Sequence, residues 1–390
     1  MELAKRMERL GTETAFVVLA RAKQLEREGR DIIHLEIGEP DFDTPANIVD
    51  AAIQALKDGY HHYNPSAGLP ELREAIARKV QSNRGLKVSP ENVVVCPGGK
   101  PIIFFSVIAL VNEGDEVIYP NPGYPIYESV INFVGAKAVP LILREENDFS
   151  FDVNELEDKI TPKTRMIIIN SPQNPTGSVL SKSDLKAIAE LAVKHDLIVI
   201  SDEVYMEILY EGEHTSIAAF PGMQERTILL DAASKTYAMT GWRLGYGVMR
   251  KEWADAVAQL LTNSISCTTT FVQRAMLEAL DGPQDSVREM VEKFRRRRHV
   301  IVDGLNRIED LTCTMPKGAF YAFPNIRKTG YTSEQLEDMF LEEAGVAALS
   351  GTAFGEHGEG YIRFSYANSV ENIEKALVRI EELLAKKRVK

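Results

Sequence analysis

The chain has 390 residues, 45 of them Lys or Arg and 57 Asp or Glu, which leaves a formal net charge of −12. That length fits about two domains around sizeable cores. An apolar share of 44% beside a charged share of 26% excludes collagenous, disordered and disulfide-stapled chains, and the acidic balance argues against nucleic acid as a partner.

In chain order, the opening segment through Ala15 lacks the apolar run and small-residue cleavage site of a signal peptide. A helix is predicted at Thr14–Arg27. From about residue 85 to 250, apolar runs alternate with helical periods. Strands are predicted at Val93–Cys96, Glu116–Tyr119, Met166–Asn170, Leu197–Ser201, Ile228–Ala232 and Leu244–Met249. Between them, Lys100–Val111 reads as a helix apolar nearly all round, hence buried. Its longest apolar stretch, Ile102–Val111, is interrupted by Ser106 and reaches about half a bilayer, so no membrane span is expected. Asp184–His195 places Leu185, Ile188, Leu191 and Ala192 on one helical face, with Ser181 or Ser183 near its start. This alternation implies an α/β three-layer sandwich with a mostly parallel central sheet, whose ligands sit at the carboxyl ends of the strands.

The last hundred residues differ. A charged helix at Pro283–Arg307 leads to short strands near Ala319–Phe323 and Tyr361–Ser365, and an amphipathic helix at Val370–Lys386 follows. These read as a smaller α+β domain built from both chain ends, residues 1–45 and 285–390, beside a large domain at 46–284. Three scattered cysteines, Cys96, Cys267 and Cys313, show no zinc spacing and fit a reducing cytoplasm. The basic run Arg295–Arg298 with His299 follows Glu289 and Glu292, so it reads as a solvated helix face. His61 and His62 lack a second ligand cluster, which leaves no metal site. The tail from Ala385 to Lys390 reads as a frayed helix end whose cations suit the helix dipole.

Four segments carry chemistry. Pro97-Gly98-Gly99-Lys100 follows a predicted strand and opens a helix. It reads either as a structural turn or as a loop whose N–H groups approach a phosphate. Asn170-Ser-Pro-Gln-Asn174-Pro175-Thr-Gly177 also follows a strand and is either a plain loop or a mount for the Asn174 amide. In Ser201-Asp202-Glu203-Val204-Tyr205, Asp202 is either a surface helix cap or a buried carboxylate that needs a cation. In Ser234-Lys235-Thr-Tyr-Ala-Met-Thr-Gly241-Trp242-Arg243, Lys235 is either solvated or a desolvated nucleophile towards carbonyls, with Arg243 suited to a phosphate.

In this order and spacing the four segments resemble the fold-type I pyridoxal-phosphate (PLP) enzymes, specifically the class I/II aminotransferases. The likeness begins at Gly38-Glu-Pro-Asp-Phe-Asp-Thr-Pro45. It continues through Tyr63-Asn-Pro-Ser-Ala-Gly-Leu-Pro-Glu-Leu-Arg73 and the segments above to Gly360-Tyr-Ile-Arg363-Phe-Ser-Tyr. The pattern is similar to that of bacterial aspartate-aminotransferase-like enzymes.

The resemblance implies a role for each matching residue. Lys235 would bind PLP covalently and shuttle a proton at the substrate Cα, and Asp202 would pair with the ring nitrogen. Tyr205 and Asn174 would donate to the phenolic oxygen, and Tyr124 would stack on the ring. Gly99, Lys100, Ser234 and Arg243 would cradle the phosphate, and Tyr63 would reach the phosphate of a second subunit, so a homodimer is expected. Arg363, helped by Asn174 and the backbone at Gly38, would grip the α-carboxylate of amino-acid and 2-oxo-acid substrates. The expected reaction passes the amino group of aspartate or another L-amino acid to 2-oxoglutarate in two half-reactions.

Two positions depart from the family. A phosphate-binding Ser common three residues before the lysine is replaced by Ala232. Small hydroxyl residues that help hold a side-chain carboxylate near the N-terminal helix give way to Glu13-Thr14-Ala15-Phe16, although Lys100 matches the lysine aimed at that carboxylate. The scaffold also supports β-lyase chemistry. A PLP-sensing regulator is the rival of another class, but no helix-turn-helix pattern precedes Gly38.

Overall fold

The structure, a computed structural model, describes residues 3–388. In chain order the strands are β1 (Ile33–His34), β2 (Val93–Cys96), β3 (Glu116–Asn121), β4 (Lys137–Ile142), β5 (Thr164–Asn170) and β6 (Ile198–Asp202). After them come β7 (Thr227–Ala232), β8 (Gly245–Val248), β9 (Tyr321–Ala322), β10 (Val346–Ala347), β11 (Leu349–Ser350) and β12 (Ile362–Ser365). Seven form one sheet in the order β2-β8-β7-β6-β5-β3-β4. Only β8 runs antiparallel to its neighbours; the other pairs are parallel. The α/β sandwich expected from the alternation is therefore present.

The strand residues explain why both faces are covered. Alternate side chains point to opposite faces, so a strand apolar at every position needs helices on each side. Val94, Ile168, Ile200 and Ile228 pack towards the helices Lys100–Leu110 and Lys251–Ser264. Their neighbours Ile167, Ile169 and Val199 pack against the helix Lys182–Lys194. That helix is N-capped by Ser181, whose hydroxyl accepts from the Asp184 N–H while the Asp184 carboxylate accepts from the Ser181 N–H.

Within the seven-stranded sheet, β4 alone has no counterpart among the predicted strands, and the two-residue strands β1, β10 and β11 were not predicted either. β4 carries Pro140, lies at the sheet edge and is mostly half-buried. Proline cannot donate to a ladder, so an edge strand is where it survives, and the apolar signal there is weak. Near the two chain ends, Ile33 of β1 lies opposite Val346 of β10 in a parallel pair. A three-stranded sheet, β11-β12-β9, completes this part, over a core that holds Phe294, Phe320, Phe340 and Phe364. No helix among the described residues is long and apolar enough to cross a membrane.

The basic run corrects an expectation. On the helix Asp285–Leu305, Arg297 and Arg298 are buried, at 9% and 3% exposure. Arg297 makes a two-bond fork to Asp41 at 2.6 and 2.9 Å, and Arg298 donates to Glu211 at 3.1 Å and the Pro316 carbonyl at 2.9 Å. These two face inward because loops on that side of the helix supply their counter-charges, while Arg296 and His299 stay exposed as expected. At the other end, the final helix runs on to Arg388, which pairs with Asp310 at 2.9 Å. Val389 and Lys390 lie outside the described residues.

Candidate active site

A cavity of about 530 Å³ opens at the carboxyl ends of the parallel strands. β2 delivers Gly99 and Lys100, β5 leads to Asn174, β6 ends on Asp202, and β7 leads to Ser234 and Lys235. Register holds two of these tips side by side, with Asn170 opposite Asp202 across β5 and β6. Tyr124, Tyr205, Arg243, Gly38 and Arg363 also line the cavity.

Asp202 is buried, at 3% exposure. Its carboxylate accepts from the Tyr127 hydroxyl at 2.7 Å and from the Val204 N–H at 3.3 Å. Burial pushes its carboxyl up to about 6 against the pull of those donors. No cation pairs with it among the described residues, so the reading as a surface helix cap is overturned. Such a carboxylate is suited to a protonated ring nitrogen.

Lys235 faces the same cavity and donates to the Gly38 carbonyl. Desolvation pulls its ammonium down to about 8, with Arg363 and Arg243 adding to the effect and Glu39 opposing it. Near neutral pH a usable fraction is the free amine, the form that attacks carbonyls. A side chain at Gly38 would overlap the Tyr321 hydroxyl, so the close approach needs glycine.

Arg363 is 3% exposed and sandwiched between Tyr321 and Phe354, whose ring centroids lie 4.5 and 4.8 Å from its Cζ. Its Nη1 donates to Asn174 Oδ1 at 3.0 Å and its Nη2 to the Glu36 carbonyl, which leaves the buried Nε without a partner. The Asn174 N–H is itself fixed by Asn170 Oδ1 at 2.9 Å. Tyr205 shares a 2.7 Å hydrogen bond with Tyr321, hydroxyl to hydroxyl.

At the other end of the cavity, Gly98 has φ +88, and a side chain there would overlap the Arg243 guanidinium. Glycine thus lets the loop and Arg243 converge beside Gly99 and Ser234. The Lys100 ammonium turns away from this cluster. It pairs with Glu13, which also accepts from the Tyr124 hydroxyl at 3.0 Å. Tyr63 alone stands apart: it is 90% exposed and does not line the cavity.

Sequence reasoning missed Tyr127, Tyr321 and the pairing of Glu13. It also missed a buried support behind the strand tips. Arg84, at the end of the helix Pro70–Arg84, donates to Glu203 at 2.7 Å and to Asp231 at 2.9 Å. Burial alone would raise the Glu203 carboxyl, but Arg84 and then His214 hold it at about 2.

Residues 30–380 match the family model for aminotransferase class I and II. The chain belongs to the class I/II aminotransferases, a family of PLP-dependent transferases. An aspartate aminotransferase from Pyrococcus abyssi is 44% identical over 92% of this chain and 93% of its own length. Aromatic-amino-acid aminotransferase 2 from Thermococcus litoralis is 40% identical over the full length of both. Among solved structures, the Thermus thermophilus aspartate aminotransferase with maleate superposes with a TM-score of 0.94, at 39% identity over 98% of this chain and 100% of that one.

Proposed function

We propose that this aminotransferase holds PLP in the cavity and passes the amino group of an L-amino acid to a 2-oxo acid, with 2-oxoglutarate as acceptor. One observation carries the reading: a buried carboxylate without a cation, Asp202, and a desolvated amine, Lys235, face one cavity at the strand ends. When bound, PLP supplies an electron sink and a carrier for the amino group.

The chain's own residues then divide the work. Asp202, steadied by Tyr127, keeps a ring nitrogen protonated. Lys235 holds the cofactor and moves a proton at the substrate Cα. Arg363 grips the α-carboxylate with its fork, and its fixed partner Asn174 orients it. That carboxylate is common to donor and acceptor, so one arginine serves both half-reactions. Tyr205 and Asn174 would donate to the cofactor's phenolic oxygen, and Tyr124 would stack on its ring. Gly99, Ser234 and Arg243 would hold the phosphate, without help from a hydroxyl at Ala232. Lys100 contributes there through its backbone, since its ammonium is held by Glu13.

The exposed Tyr63 fits a homodimer in which it completes the phosphate site of a second copy. The division into 46–284 and the two chain ends belongs to the same reading, supported by the pairing of β1 with β10. Three free cysteines suit a cytoplasmic enzyme.

The test is Lys235→Ala. Turnover is expected to fall by roughly 10²–10⁴-fold or more, the range for loss of a positioned acid–base group, and the cofactor is expected to wash out on dialysis. A variant that transaminates at the wild-type rate refutes the assignment. Release of a 2-oxo acid from donor alone supports transamination, whereas pyruvate with ammonia from a β-substituted amino acid identifies a lyase.

A further inference from the structure

The cavity's charges can be assigned one by one. Among the described residues that line it, the cations are Lys100, Lys235, Arg243 and Arg363. On the reading above, Lys235 and Arg243 serve the cofactor and Arg363 the α-carboxylate. Lys100 is the one cation left for a carboxylate on the substrate side chain, and it is already paired. Glu13 accepts from it, and Tyr124 fixes the same Glu13 oxygen at 3.0 Å. The Lys100 ammonium also lies 5.6 Å from the Tyr124 ring centroid. Three side chains thus close on one another where an acidic side chain would have to end.

An apolar side chain stands close by in sequence and lines the same cavity. This is Phe16, one turn into the helix that Glu13 precedes, and it is 59% exposed. The Glu13 side chain is only 19% exposed, so its carboxylate meets Lys100 in a partly desolvated place. Like charges there repel more strongly than in open water.

We infer that Glu13 determines substrate specificity: it occupies Lys100 and repels a second carboxylate, so the enzyme favours amino acids with neutral, largely apolar side chains over aspartate. The inference rests on the aminotransferase reading of the cavity and adds the class of donor. A dicarboxylate, 2-oxoglutarate included, enters only by breaking the Glu13–Lys100 pair and moving Glu13 aside. Its affinity is lowered by that opening cost. A neutral side chain meets Phe16 and the closed pair without disturbing either.

The experiment measures binding of succinate, an unreactive dicarboxylate, to the holoenzyme by calorimetry. Wild type, Glu13→Gln, Glu13→Ser and the double variant Glu13→Gln/Lys100→Met are compared. Removing the Glu13 charge is expected to tighten succinate by about 10- to 100-fold, the worth of one additional hydrogen bond between charged partners. The double variant is expected to lose that improvement. In turnover, the ratio of kcat/KM for aspartate to that for phenylalanine should rise by a similar factor in both single variants. An unchanged succinate Kd in the two single variants overturns the role of Glu13, and so does tighter binding that survives loss of Lys100. Either result leaves transamination itself standing, because that is read separately from 2-oxo acid released by phenylalanine.

Discussion

Replacing Asp202 with asparagine separates the cost of burying a charge from its use. The carboxyl normally titrates at 3.8 and is raised to about 6 here, chiefly by burial. A shift of roughly two units corresponds to about 3 kcal/mol of disfavoured ionisation. The sign follows from proton counting. Between about pH 4 and 6 the folded, cofactor-free enzyme holds a proton that the unfolded chain has released, so stability falls as pH rises. Below pH 4 both states are protonated and the penalty vanishes; above pH 6 it is complete.

The asparagine variant keeps the shape and has no charge to bury. Without cofactor it should match wild type at pH 4 and exceed it by about 3 kcal/mol at pH 7, which for a chain of this size is a rise of roughly 4 °C in Tm. Addition of PLP should reverse the order, because only the carboxylate gains a cationic partner. Differential scanning calorimetry of both proteins at pH 4, 5, 6 and 7, with and without PLP, reads all of this. A stability difference that is flat across that range would refute the reasoning. So would PLP that stabilises both proteins equally.

Two further outcomes follow from the site's geometry. Arg363→Lys retains charge but loses the planar fork, so KM for donor and acceptor should rise together by roughly 10- to 100-fold; steady-state kinetics with each substrate varied checks this, and a rise confined to one substrate contradicts a shared carboxylate site. Gly98→Ala places a methyl group where the Arg243 guanidinium sits and strains a backbone at φ +88. PLP affinity, measured by fluorescence titration of the cofactor-free enzyme, should weaken about tenfold or more, as for removal of one hydrogen bond between charged partners.

The sheet was legible because its strands are apolar at nearly every position and bounded by turn residues. β4 was not, since Pro140 and an edge position dilute the same signal. At the site, the residues after strand ends were found because strand–loop chemistry has a short-range signature, as at Gly98, Asn174 and Lys235. Tyr127 has none: it is a tyrosine on an apolar helix until β6 brings Asp202 to its hydroxyl. Arg297 and Arg298 misled for a related reason. Acidic residues nearby in sequence suggested a solvated face, while the partners that matter, Asp41 and Glu211, lie far away along the chain. Glu13 was seen as a departure from the family, but its pairing with Lys100 required the fold.

Arg84 is buried and does not line the cavity. Two of its hydrogen bonds reach Glu203, just past the tip of β6, and Asp231, in the tip of β7. Those are the strands that present Asp202 and Lys235. One guanidinium therefore works as a clasp across the seam between them and sets the gauge at which acid and amine face each other. A redesign of the cavity walls can change what enters. The gauge itself is adjusted from behind, at a position no inspection of the pocket would name.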